Sequence, residues 1–243
     1  MRASAVHATA AAAGASAPSR SNGAIGATGA IGATTAMRVA AELRRRILVG
    51  ELAPGTHLKL DEIATQCAVS HMPVREALHE LEGEGVIEVF PHRGAVVRGV
   101  DAQFVRNLYD VRGAIEGMLT ERCAERIDAA GIARLEAAVS LHEGAAKKRK
   151  PTALVDANRA LHDAINDVAA NPQAVRVLAQ GRLLIEALRV RFGYGAGRVD
   201  GVVDEHRALL RAIAKHDVAK AGALARRHCF AARDDLLAML ARP

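Results

Sequence analysis

Apolar and polar positions alternate in two different ways along this chain. Between Met37 and Val100 the apolar runs are short and punctuated by turn residues. Beyond Val100 they recur every three or four residues over long stretches. In the first part, Ile47 to Gly94 reads as a helix, a turn, two further helices and a short β-hairpin. Pro54-Gly55 is expected to stop the first helix, and Asp61 to cap a second that ends at Cys67-Ala68. Ser70 then caps the third. Pro73 falls in its first turn, where the missing N–H costs nothing, and Val74, Leu78 and Leu81 recur at helical spacing as its buried face. The opposite face is left free to read DNA.

After Val100 the pattern is purely helical. A first stripe runs through Phe104, Leu108, Val111, Ile115, Met118 and Arg122-Cys123. Further helices are predicted at about 131–146, 152–170, 172–192, 201–215 and 217–241, separated by the KKRKP run at 147–151, Asn171-Pro172 and the glycine-rich FGYGAGRVDG. The fold class that follows is mainly α: three helices with a small β-hairpin, then an all-α antiparallel bundle.

Four polar residues lie on apolar stripes of that bundle. Asn158 and His162 share the stripe of Leu161, Ile165 and Val168; His206 sits among Val203, Leu210 and Ile213; His228 lies with Ala221, Leu224 and Leu236. Facing inward, each costs about 1–3 kcal/mol if left without a partner. Taken singly, such a histidine is a satisfied core residue more often than a ligand. Three from three helices, with Asn158 one turn before His162, point to a shared divalent metal ion, zinc first, with nickel or manganese as alternatives. Arg112 lies beside the Leu108 and Ile115 stripe, where a planar guanidinium suits a carboxylate; the plainer account is an ion pair with Glu116 one turn on.

Composition adds boundaries. Residues 1–36 are almost all Ala, Gly, Ser and Thr, with no charge between Asn22 and Met37, and read as a disordered tail, or as a stretch preceding a true start at Met37. The expected division is therefore 1–36 tail, 37–100 DNA-binding domain and 101–243 helical domain. The formal charge is +6, yet residues 37–100 hold eight Arg/Lys against nine Asp/Glu. Bulk charge thus gives no support to DNA binding; distribution does, with Arg38, Arg44, Arg45, Arg46, Arg75 and Arg93 near the expected contact surface. A near-neutral head also favours a homodimer engaging two half-sites. The KKRKP run reads as a solvated inter-helix loop. Cys67, Cys123 and Cys229 form an odd, dispersed set, a reduced pattern of buried thiols rather than a disulfide framework. With no apolar run of membrane-spanning length and no signal-peptide core, the expectation is a cytoplasmic protein with no membrane partner.

The run PGTHLKLDEIATQCAVSHMPVREALHELEGEGVIEVFPHRGAVV resembles the winged helix-turn-helix of the GntR family of bacterial transcription regulators, above all in VS-x-x-PVREAL-x-x-LE-x-EG. The resemblance implies that Ser70, His71, Arg75 and the turn His92-Arg93-Gly94 touch double-stranded operator DNA, the wing lying along the backbone or minor groove. Members of the family often carry Arg where this chain has His71, so base preference is expected to differ. The bundle is similar to the FCD effector-binding domain of the FadR-like branch, in which an Asp four residues before a His, then EH and a final His twenty-two residues later, hold a metal. Glu205-His206 and His228 match. The Asp position is Asn158, a neutral and weaker ligand. This likeness implies that 101–243 is an effector-binding and dimerisation domain, with a small carboxylate or sugar-acid effector held by the metal and Arg112.

The function expected is a ligand-responsive DNA-binding regulator, a repressor, and not an enzyme. Two alternatives stand beside it. Three His ligands with an open position suit a metal-dependent hydrolase, although Glu205, the one carboxylate in sequence reach, points about 100° from His206 around its helix. A constitutive DNA-binding protein with a purely dimerising bundle would have no use for inward polar residues.

Overall fold

A computed structural model describes residues 24–90 and 94–241. The elements run α1 (Ala24–Leu48), β1 (His57–Leu58), α2 (Leu60–Cys67), α3 (His71–Gly83), β2 (Ile87–Phe90), β3 (Gly94–Val97), α4 (Ala102–Arg126), α5 (Ala129–Lys148), α6 (Pro151–Ala169), α7 (Pro172–Ala179), α8 (Arg182–Phe192), α9 (Arg198–Ala214) and α10 (Val218–Leu240). The mainly helical fold, with a small antiparallel sheet near its start, agrees with the sequence reading. No helix among the described residues is long and apolar enough to cross a membrane.

The first core forms where α1 presents Val39, Ala40, Leu43 and Ile47, all buried, to Val74, Ala77, Leu78 and Leu81 of α3. The sheet closes it with Leu58, Ile87, Ala95 and Val97. β3 lies between β1 and β2 and is antiparallel to both, pairing Leu58 with Ala95 and Ile87 with Val97. The period-2 alternation of strands sends Ala95 and Val97 inward. Gly94 opens β3 at φ +80, and a Cβ there would sit 2.7 Å from the Leu58 carbonyl oxygen, so this glycine has a structural reason of its own.

Several boundaries differ from the sequence reading. α1 ends at Leu48, with Gly50 at φ +82, rather than at Pro54-Gly55. That pair instead turns the chain into β1, the Gly55 N–H donating to the Val97 carbonyl at 2.8 Å. α1 also reaches back over residues 24–36, which composition assigned to a tail, and Ala36 is already buried. Residues 1–23 lie outside the described part. Lys59, not Asp61, is the N-cap of α2, and Asp61 sits in its first turn, where a carboxylate still suits the helix dipole. Ser70 occupies the N-cap of α3 without a side-chain capping bond. β1 was not expected: two residues are too short to show alternation.

The second core fills the space among α4, α5, α6 and α9 with Leu119, Cys123, Leu135, Val139, Leu161, Ile165 and Ile213. A third, between α4, α8 and α10, holds Val105, Tyr109, Ile185, Leu188, Cys229 and Leu236. Along the α4–α10 seam, Gly113 and Gly117 leave room for Phe230 and Arg226. Cys123 and Cys229 are buried, and burial pushes the Cys123 thiol up to about 11. The KKRKP run is less of a loop than expected: Lys147 and Lys148 complete α5, and Pro151 opens α6.

The one helix expected over 172–192 is two. Its pattern is broken at Gln180-Gly181, where Gly181 takes φ +67 and donates its N–H to the Glu84 carbonyl at 2.8 Å, just past the end of α3. The Gln180 side-chain amide donates to the Gly83 carbonyl. From this break α8 carries Leu184 into the first core, against α1. The partner that breaks the helix is more than eighty residues away in sequence (|i−j| = 97 for Gln180 and Gly83), beyond the reach of periodicity.

Candidate functional site

Three helices bring histidines together. His162 on α6, His206 on α9 and His228 on α10 have ligand nitrogens within 4.8 Å of one another. Ring centroids lie 5.4 Å apart for His162 and His228, and 4.9 Å for His206 and His228. Asn158, one turn before His162, faces the same cavity as His162 and His228. His206 stands behind them, fully buried, and neither of its ring nitrogens has a partner.

Burial, reinforced by the neighbouring His228, holds His206 well below the usual imidazole range. Burial likewise takes His162 down to about 4, against the pull of the Glu116 carboxylate. These two rings are therefore neutral at pH 7 with lone pairs available, the state a metal requires of histidine. The third ring is oriented from outside: His228 Nδ1 donates to Glu205 Oε2 at 2.6 Å. Arg198 grips the same carboxylate through both terminal nitrogens at 2.7 and 3.0 Å. Burial opposes ionisation of Glu205, but these bonds outweigh it and hold the carboxyl at about 2. Glu205 does point away from His206, as helical spacing requires, and its partner is the histidine of the next helix. Sequence spacing within one helix held no sign of that contact.

A convergent donor set with two orphaned nitrogens on its most buried member fits a divalent ion. His162, His206 and His228 would hold it, with the amide oxygen of Asn158 as a neutral fourth donor. A backing carboxylate of the Glu205 kind is the usual companion of a metal-binding histidine.

The cavity beside the cluster has a volume of about 110 Å³ and is lined by five guanidinium groups, those of Arg112, Arg159, Arg182, Arg189 and Arg198. The acids on the same wall are Glu116, Asp163 and Glu186. Arg112 donates to Glu116 at 2.5 Å and to the Leu178 carbonyl at 3.2 Å, so the expected ion pair exists and Arg112 still faces the cavity. Burial opposes the charges of this pair, and each partner offsets that cost for the other, leaving Glu116 below its usual range. Arg159 pairs with Glu186 and Arg182 with Asp163. The buried Nε of Arg198 has no partner. Sequence reading singled out Arg112 alone; the other arginines fall in helices whose relative rotation only packing fixes. His142 was missed as well. It is buried on α5 with its centroid 4.6 Å from that of His206.

In the first domain, Ser70, His71 and Arg75, the residues expected to touch DNA, are exposed at the N-terminal end of α3, together with Met72. His71 Nε2 lies 3.1 Å from Asp61 Oδ1, and Arg75 makes no ion pair with a described residue. Arg44, Arg45 and Arg46, expected near the contact surface, are engaged within the head: Arg44 with Glu80 and Glu84, Arg45 with Glu42 and Glu51, Arg46 with Gln66 and Glu51. His92 and Arg93 lie outside the described residues, and Gly94 follows them as the first residue of β3.

Comparison with known proteins agrees with this architecture. Residues 35–97 match the gntR family of bacterial regulatory proteins, and residues 107–231 match the FCD domain. Over 89 residues the chain is 41% identical to the gluconate operon transcriptional repressor of Bacillus licheniformis, covering 37% of this chain and 36% of that protein. It thus spans little more than a third of that relative's length. Over 204 residues it is 28% identical to an uncharacterized HTH-type transcriptional regulator of Streptomyces ambofaciens, covering 84% of this chain and 85% of the relative. The solved structure of E. coli McbR/YncC shares the fold, with a TM-score of 0.69 at 22% identity over 85% of this chain and 96% of that one.

Proposed function

From the premise that this chain belongs to the GntR family of bacterial regulatory proteins, a transcriptional regulator with an FCD domain rather than an enzyme, we propose that it is a homodimeric, metal-assisted repressor released or tightened by a small carboxylate. The observation that carries this reading is the three-histidine cluster, with both nitrogens of His206 unpaired, beside a cavity walled by five guanidinium groups. Repression is favoured by the likeness of the head to a gluconate operon repressor.

In this reading Ser70, His71 and Arg75 enter the operator major groove, and the wing residues His92, Arg93 and Gly94 follow the backbone. The division into a tail over 1–36, a head over 37–100 and a sensor over 101–243 belongs to the same proposal. A bound divalent ion would supply positive charge for a carboxylate oxygen. The protein's own groups do the rest. Arg112, held by Glu116 and the Leu178 carbonyl, presents its guanidinium to the acid, and the remaining arginines make the cavity favourable for anions over neutral analogues. Glu205 keeps His228 oriented, and being engaged by both Arg198 and His228 it is a poor general base, which weighs against hydrolysis.

Effector binding alters operator affinity only if it favours one arrangement of the two recognition helices over another. α8 supports a direct route. Arg182, Glu186 and Arg189 line the cavity, Leu184 on the same helix packs in the core that carries α3, and Gly181 at its start is bonded to Glu84. A shift of α8 that accommodates a ligand is thereby passed to the end of α3.

The test is a thermal-shift screen of zinc-loaded and chelated protein against small carboxylates and sugar acids, followed by operator titration with each hit. An acid that stabilises only the metal-loaded protein, loses its effect in Arg112→Ala and changes operator affinity supports the proposal. Hits that leave operator affinity unchanged would make the protein a constitutive DNA binder.

A further inference from the structure

His142 lies outside the three-histidine set, on a helix that contributes nothing else to the cluster. It occupies the buried stripe of α5 with Leu135, Val139 and Ala146. Its exposure is 2%, that of His206 is zero, and the two rings meet edge to face at 69° with centroids 4.6 Å apart. Nδ1 of His142 and both nitrogens of His206 are buried without a partner. Three orphaned nitrogens on two touching rings are a costly arrangement for an apolar interior, at about 1–3 kcal/mol for each unsatisfied group.

The chemistry of a metal-bound imidazole gives these nitrogens a use. A histidine that gives one nitrogen to a metal carries its proton on the other, and that N–H requires an acceptor that fixes tautomer and ring orientation. His228 has such an acceptor in Glu205. No carboxylate or carbonyl is bonded to His206; what stands against it is His142, whose unpaired Nδ1 can accept. A centroid separation of 4.6 Å puts the two rings in direct edge-to-face contact, a spacing compatible with a hydrogen bond between a nitrogen of one and a nitrogen of the other once a ring turns about its Cβ–Cγ bond.

We propose that His142 is a positioning residue for the metal site, accepting the N–H of His206 and so fixing which of its nitrogens faces the ion. The inference rests on the metal reading of the cluster given above. It makes the metal-binding unit a four-helix construction, with α5 acting through α9. It also assigns His142 and His206, the histidines whose buried ring nitrogens lack partners among the described residues, to one another rather than to the core at large.

Competition titration of zinc against a chromophoric chelator, on full-length protein stripped of metal, tests it with three variants. His142→Phe fills the space without an acceptor and is expected to weaken zinc binding about 10- to 100-fold, the usual consequence of losing such an outer partner. His142→Gln supplies an amide oxygen and is expected to restore most of that loss, which a purely space-filling role would not do. His206→Ala removes a ligand and is expected to abolish tight binding.

The outcomes separate the two ideas. Wild-type zinc affinity in His142→Phe, with His206→Ala impaired, overturns the positioning role and leaves the metal reading standing. Equal weakening in the Phe and Gln variants also overturns it, in favour of packing. Wild type and His206→Ala binding zinc alike would remove the metal reading and this inference with it. Should the Phe variant fail to fold, the ring of His206 in zinc-loaded wild type decides by long-range ¹H–¹⁵N correlation. A protonated outer nitrogen whose proton is bonded to the His142 ring supports the role, and an outer proton with no such coupling refutes it.

Discussion

Replacing His206 by leucine should have opposite effects on the metal-free and the metal-loaded protein. The ring is fully buried and both of its nitrogens lack partners, so the metal-free protein carries a donor and an acceptor that gave up water for nothing. At the low end of the range for such groups, about 1–1.5 kcal/mol for each of the two nitrogens, less about 1 kcal/mol for the imperfect fit of leucine, the substitution is expected to stabilise the stripped protein by about 1–2 kcal/mol. For a chain of this size that raises Tm by roughly 2–8 °C, taking about 2–4 °C per kcal/mol. With zinc at a hundred times its dissociation constant the wild type gains about 2.7 kcal/mol, and the variant, short of a ligand, gains little. The order of melting temperatures should therefore invert: variant above wild type in chelator, below it in zinc. Calorimetric or dye-monitored melts in both conditions read this directly. A variant destabilised by the same amount with and without zinc would refute the reasoning, since it would mean that the nitrogens of His206 are already satisfied in the stripped protein.

Other consequences follow from the same geometry. Burial takes His142 and His162 to about 4 in the folded state, against 6.5 for a free imidazole, so the unfolded chain binds more protons between those values. Their contribution is complete above about pH 6.5 and is lost as the pH falls towards 4; urea denaturation at pH 7.5, 6 and 5 should show a steep decline that His162→Gln flattens, and an unchanged slope would count against buried neutral rings. Arg75→Ala should weaken operator binding by about 1–3 kcal/mol, or roughly 5- to 150-fold, in a fluorescence anisotropy titration, and wild-type affinity would show α3 to be turned the wrong way. Gly94→Ala places a Cβ 2.7 Å from the Leu58 carbonyl oxygen at φ +80, so its denaturation midpoint should drop by an amount equivalent to about 1–3 kcal/mol, irrespective of any DNA contact.

How far the sequence could be read depended on the range of the interactions involved. The face of α3 formed by Val74, Leu78 and Leu81 was legible because one helix and its period encode it. The inward turn of His162, His206 and His228 was legible for the same reason, three times over. What brings their nitrogens within 4.8 Å is the packing of α6, α9 and α10, to which the family likeness pointed and which periodicity could not supply. Glu205 and His142 escaped because each acts on a residue of another helix: Glu205 on His228, His142 against His206. Apolar periodicity runs on through Gln180-Gly181, and the left-handed turn of Gly181 that ends the helix is held by the carbonyls of Gly83 and Glu84, far off in sequence. Arg44 looked available to DNA because its acidic partners, Glu80 on α3 and Glu84 just past its end, lie 36 and 40 residues along the chain rather than one turn away.

Regulators of this architecture invite recombination, with one protein's sensor transplanted onto another's DNA-binding head. The placement of Leu184 limits that freedom here. Its side chain, delivered by a helix far down the chain, is among the residues that fill the core under α1 and α3, and the turn before it bonds to the two residues where α3 ends. A fragment cut after Val100 lacks part of its own interior, and a foreign sensor would need to bring an equivalent plug. The head and the helical bundle are therefore not interchangeable cartridges, and a hybrid spliced at the junction alone inherits a hole in the core under α1 and α3.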